Sequence, residues 1–364
     1  MLRPTELIGR AIIASYPGDD TGHDGGDAKN PWLGLIPLLI FLADFIIFLP
    51  LWLIASYTFG NVFPVLVMVE DENPPPYEPV SRDDPEAVSV SLPEEPRVSP
   101  RNKASDCGRD KPIGPSLRGL NRLLRSDCGF RAYLKGLACF FFMNTVNVLL
   151  LTTFAGALHP LLAPLGTLVA SLALVQVSTA WVHIVITPLS GWFFWRRLPS
   201  FKRAFDATWK PVVLFWLATE VATLIIQLTG ACLDMNVFGV YKGMPVDVDG
   251  IEWKGPVLFV VALVLTMVIT VPAHVILVRV QASLLPMDRN TIIPFDRTFG
   301  GKVEPAVVGG LGYATISDAW STLSLGAWRR LYTLYAKVLL VNVAIGFAFA
   351  GIIYAEFALF GIRD

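Results

Sequence analysis

Charge is scarce in this sequence: Asp, Glu, Lys and Arg make up 16% of its 364 residues, against about a quarter in soluble domains. A soluble all-α protein is therefore disfavoured, the more so because hydrophobic residues reach 54% and gather in long blocks. Cysteine is scarce too. Cys107, Cys128, Cys139 and Cys232 show neither a C-x-x-C pair nor finger spacing, so neither a disulfide framework nor a metal site is indicated. The first 31 residues hold Arg3 and Arg10 but also Asp19, Asp20, Asp24 and Asp27, with no continuous apolar region, so no cleavable signal is expected. There is no phosphate-binding glycine loop, no H-E-x-x-H and no G-x-S-x-G. The chain is expected to be neither an enzyme nor a cofactor carrier, with no nucleic-acid partner.

What is present is a set of apolar blocks at 32–69, 137–158, 161–187, 211–233, 256–285 and 335–361. A helix needs ~20 mostly apolar residues to cross ~30 Å of hydrocarbon, because lipid offers backbone N–H and C=O groups no partner. The blocks predict an all-α membrane protein with six transmembrane helices, near 35–60, 137–158, 161–187, 211–233, 256–285 and 335–361. Residues 1–31 form an N-terminal tail. The first block carries Pro37, Pro50 and Pro64 and is read as one long kinked helix, with 61–69 as its exit.

Lys and Arg are distributed unevenly. Segment 70–135 carries 11, segment 188–210 carries 5 and segment 279–337 carries 7, which is 23 of the 29. All three follow odd-numbered helices, so a six-helix chain puts them on one side. By the positive-inside tendency that side is the cytosol in a secretory-pathway membrane.

Fixed-period similarity is also present. Pro272-Ala273-His274-Val275-Ile276-Leu277 in the fifth block is matched 91 residues earlier by Trp181-Val182-His183-Ile184-Val185-Ile186. Pro50-Leu51-Trp52-Leu53-Ile54-Ala55 has a similar pattern in the first. Basic–aromatic runs also recur before the even helices, at 129–136, 201–205 and 326–332. Each suits the headgroup region. The expected architecture is three pseudo-repeated helix pairs.

These residues resemble the mitochondrial carrier family. Pro272 to Gln281 keeps the proline, arginine (Arg279) and glutamine of that family's odd-helix signature. Asp127-Cys128-Gly129-Phe130-Arg131-Ala132-Tyr133-Leu134-Lys135-Gly136 is similar to its motif before the even helix, with one residue inserted. The signature's acid positions hold Trp52, His183 and His274, and its base positions Ala55, Ile186 and Leu277. No ring of salt bridges can form from these residues, so the chain resembles a degenerate carrier. The resemblance implies a mitochondrial membrane and transport of a small solute. It also leaves room for a non-transporting role, since eroded members of the family act as receptors or insertion factors. From the residues alone, another intracellular membrane or the plasma membrane stays open.

Ionisable groups at bilayer depth are costly and usually face a partner or a water-filled cavity. Asp44, His183, Glu220, His274 and Arg279 qualify, and Gln227 lies on the same helical face as Glu220. Two readings stand side by side: a solute cavity lined by these six residues, or interhelical hydrogen bonding. For Asp44 and Arg279 the second is favoured, since either reaches the interface.

The segment 70–115 is rich in Pro, Ser and charge and is expected to be a disordered loop inserted in the first repeat. Pro74-Pro75-Pro76-Tyr77 matches the Pro-Pro-x-Tyr ligand of WW domains, with polyproline II pre-set by the prolines. The alternative function is thus a membrane adaptor that recruits a WW-domain ubiquitin ligase. Between the last two helices, Pro-x-Asp-Arg occurs at 286–289 and 294–297. Turn chemistry accounts for it, with anion binding as the functional alternative.

Overall fold

The structure is a computed structural model that describes residues 36–71, 116–159, 162–189, 193–233, 235, 251–286, 289–304 and 309–359. The N-terminal tail, most of the Pro-rich loop and Pro74–Tyr77 lie outside the described residues. Every regular element among those described is a helix.

Helix α1 (Ile36–Leu53) passes through a π-helical stretch (Ile54–Val62) into α2 (Phe63–Val69), so one helix runs unbroken through residues where an exit was expected. The prolines do not end it. Pro64 falls directly after the π-helical stretch, whose wider turns accommodate the proline ring and the missing N–H without ending the helix. All seven residues of α2 are buried.

Helix α3 (Leu117–Cys128) is capped by Ser116, whose side chain accepts from the Gly119 amide at 3.1 Å. Its Leu120 and Leu124 are buried while Arg118, Arg122 and Arg125 are exposed, the amphipathic division of a helix lying along an interface. A 3₁₀ turn (Gly129–Leu134) leads into α4 (Leu137–Thr152), which ends in a π stretch (Thr153–Leu158).

The third block is not one straight helix. It forms α5 (Ala163–Ala173) and α6 (Val175–Ile186), bent by 60° where they meet. Helices α7 (Phe201–Cys232) and α11 (Leu325–Leu359) each begin ten residues before their apolar blocks. In α7 the added turns are amphipathic: Ala204, Ala207 and Thr208 are buried, whereas Lys202, Arg203 and Lys210 are exposed. Between them come α8 (Ile251–Leu265), a π stretch (Thr266–Thr270), α9 (Val271–Ser283) and the short α10 (Ile316–Ser321).

Among the described residues, five helices are long and apolar enough to cross a membrane, and the bent pair makes up to six. Their outward faces stay apolar: Ile47, Leu149, Val268 and Phe347 are 64%, 62%, 67% and 76% exposed. Side chains of this kind on every long helix need lipid around them. The chain is a multi-pass membrane protein.

The described residues form two compact units. In the larger, Ser56–Leu340, α9 is the hub and packs on α2, α6, α7 and α10. Its main core joins Phe63 and Leu66 of α2, Ile186 of α6, Val275 and Val278 of α9, Ile293, and Leu331 and Leu334 of α11. The smaller unit takes in residues up to Ala55 and from Val341 onward, where Phe48 and Phe349 meet with ring centroids 4.8 Å apart.

Candidate functional site

Five of the six polar residues expected at membrane depth fall into three groups within the larger unit. The first links α6 to α9. His183, 5% exposed, makes a 2.9 Å hydrogen bond through Nε2 to the Gln281 carbonyl, while Gln281 Nε2 donates to Ser178 Oγ at 2.7 Å. With a carbonyl as its partner, His183 must carry its proton on Nε2.

A second group spans the bent helix pair and α7. Thr167 Oγ1 donates to Glu220 Oε1 at 3.2 Å. Trp216 Nε1 donates to both Thr167 Oγ1 and the Pro164 carbonyl at 3.0 Å. Glu220 is half-buried, and Gln227 lies two turns further on, also half-buried. His274 is half-buried nearby on the neighbouring helix and packs against Phe215 of α7, with centroids 5.1 Å apart and the rings tilted by 34°.

Arg279 anchors the third group, at the end of the unit where the basic loops lie. It is 4% exposed and holds together three segments distant in sequence. Its guanidinium donates to the Met68 carbonyl of α2 at 3.2 Å and to Thr322 Oγ1 after α10 at 2.8 Å. The Phe299 ring covers it at 5.0 Å, a cation–π contact made strong by burial. Beside it, Glu70 faces Arg330, with Oε2 and Nε 3.8 Å apart and both residues under 9% exposed. Glu70, Asp71, Arg279, Thr322, Leu323, Ser324 and Ala327 line a cavity of about 170 Å³.

The loop 289–304 fits across this end. The Asp71 amide donates to the Pro294 carbonyl at 3.0 Å, and the Ile292 amide to the Ile186 carbonyl at 2.9 Å. Asp296 of the second Pro-x-Asp-Arg accepts from the Thr298 amide and hydroxyl and from the Gly300 amide at 2.6–2.8 Å. Burial alone would raise its pKa. Those three hydrogen bonds and the charge of Arg279 outweigh burial and hold the carboxyl below the ordinary aspartate value. Arg297 donates to the Pro286 carbonyl at 2.7 Å and to the Arg289 carbonyl, so this arginine braces the loop.

The structure therefore does not gather the six expected residues into one cavity. His183, Glu220 and Arg279 each serve a different helix contact, and Asp44 belongs to the smaller unit. Glu70, Asp71 and Arg330 were not singled out from sequence, because acids and arginines flanking apolar runs read as ordinary loop charge. The signal was the position of Glu70-Asp71 directly after the first apolar block. Among the described residues no three His, Cys, Asp or Glu side chains are placed to hold a metal ion.

No protein-family model, curated protein or solved structure matches the chain.

Proposed function

We propose that this protein is a transporter of a small polar solute, built from six spans in the carrier-like arrangement of three helix pairs. The observation that carries this reading is the break in the third span. A 60° bend at Leu174 lies inside an otherwise apolar segment, with Glu220 facing α5 from α7 at mid-length. Irregular backbone at membrane depth is tolerated where protein or a water-filled pathway surrounds it, and discontinuous helices commonly line solute sites. Glu220 is the charged group assigned to meet the solute, and the α5–α6 bend is the hinge between the two halves of the span.

The test is uptake into vesicles reconstituted with the full chain, using a panel of labelled amino acids, carboxylates and nucleotides. Glu220→Gln keeps the hydrogen bond from Thr167 while removing the charge. The reading requires a loss of uptake of at least about tenfold, with detergent-solubilised stability preserved. Unchanged uptake overturns it.

A second reading rests on Pro74-Pro75-Pro76-Tyr77: an adaptor whose loop recruits a WW-domain protein on the cytosolic side. Capture of WW domains by the 70–115 peptide, lost on Tyr77→Ala, supports it. Protease access to a tag at residue 90 in intact organelles decides which compartment that loop occupies.

A further inference from the structure

We infer that the cavity at the basic end of the larger unit is a binding site for a small zwitterion of the free amino-acid class. This site is separate from Glu220 and does not depend on the transport reading. The argument begins with Arg279. Its two direct hydrogen bonds go to neutral acceptors, the Met68 carbonyl and Thr322 Oγ1. No protein group accepts from its Nε, which is fully buried. Arg279 also lines the cavity, and a guanidinium in that position suits a carboxylate, the partner for which its planar donors are shaped. The cavity that Arg279 lines is about 170 Å³, roughly ten times or more the ~10–15 Å³ that one water molecule needs.

The other walls narrow the ligand class. Glu70 and Asp71 stand in the same lining as Arg279, and Asp71 and Asp296 are the acids whose charge acts on that arginine. A plain anion entering here would meet Arg279 but also two carboxylates. A plain cation would meet those carboxylates but also Arg279, with Arg330 behind Glu70. A molecule carrying both charges a few ångströms apart complements both walls, its carboxylate on Arg279 and its ammonium toward Glu70 and Asp71. Ser324 supplies a hydroxyl, and Leu323 and Ala327 the apolar side, leaving room for a small side chain. Phe299 covers the guanidinium from the loop 289–304, which keeps Arg279 dehydrated and its electrostatics strong.

The experiment is thermal unfolding of the detergent-solubilised full chain, titrated separately with glycine, L-alanine and L-serine as zwitterions and with acetate and ethylammonium as the two half-charges. A saturable rise of the unfolding midpoint by a few degrees is expected with at least one zwitterion. Each half-molecule should need about tenfold higher concentration or more for the same rise. Ala327→Leu fills the cavity while leaving every charged group in place and should abolish the shift without unfolding the protein. Arg279→Gln, where it folds, should abolish it as well. The proposal is overturned if no zwitterion shifts the midpoint, if acetate or ethylammonium alone acts as well as the zwitterions, or if Ala327→Leu responds like the parent chain. Because binding is read without flux, failed uptake on Glu220→Gln and failed binding here are separate outcomes.

Discussion

The indole Nε1 of Trp181 donates to the hydroxyl of Tyr57 at 3.2 Å, and that hydroxyl in turn donates to the Lys135 carbonyl at 2.5 Å. One buried phenol thus ties the third span to the first and both to the turn that opens the second. Beside it, Thr58 Oγ1 donates to the Tyr133 carbonyl at 2.7 Å. Both anchoring residues lie in the π-helical stretch of the first span. Tyr57→Phe keeps the packing against Phe140 but strips an acceptor from Trp181 and a donor from Lys135. A loss of about 1–3 kcal/mol is expected, measured by thermal or denaturant unfolding in detergent. Full stability in the variant would show that the phenol contributes shape alone.

Gly136 closes the same turn in the left-handed region, at φ 76°. A Cβ there would meet Trp181 Cδ1 at 3.0 Å and the Tyr57 hydroxyl at 3.2 Å. Gly136→Ala therefore combines backbone strain with displacement of the indole from its partner. It is expected to cost about 1–3 kcal/mol, with reduced yield of folded protein on expression. Unchanged stability of Gly136→Ala in thermal unfolding in detergent would remove this account.

Much of this architecture is legible in the sequence because the lipid leaves so few options for the backbone, and an apolar run of span length becomes a helix. What escaped sequence reading has specific causes. The bend at Leu174 falls in Ser171-Leu172-Ala173-Leu174-Val175-Gln176, which contains neither proline nor glycine. Tertiary packing on α7 and α4, not a local breaker, accompanies it. Pro64 misled in the opposite direction, since a proline in the first turn after a π stretch breaks nothing. The early starts of α7 and α11 were hidden by charge. Lys202, Arg203 and Arg329 look like loop residues until their spacing against Ala204, Ala207 and Ala327 is read at helical period. Of the site, Arg279 and Glu220 were found as isolated charges, but their partners came from segments 211 and 53 residues away, and no periodicity links positions so far apart.

Glu70 and Arg330 are both buried at the basic end, so removing either leaves an opposing charge in low dielectric. Glu70→Gln or Arg330→Gln alone is expected to destabilise by about 3 kcal/mol. The double variant should lose less than the sum of the two, by roughly 1 kcal/mol or more. A double-mutant cycle on chemical unfolding measures that difference. Strict additivity would mean that the 3.8 Å pair carries no coupling and that each residue acts through other contacts.

Asp296 provides the acid dependence. Its carboxyl is held below the ordinary aspartate value once folded, so its contribution is complete above the unfolded-state pKa of about 3.9 and is lost as the pH falls through the folded-state value. Asp296→Asn should lower the unfolding midpoint at pH 7, because the Thr298 and Gly300 amides lose a charged acceptor. The gap between variant and parent should close as the pH is taken below 4. Thermal scans from pH 7 to pH 3 in a detergent without titrating groups measure this. A gap that stays constant would assign the stabilisation to shape and not to charge.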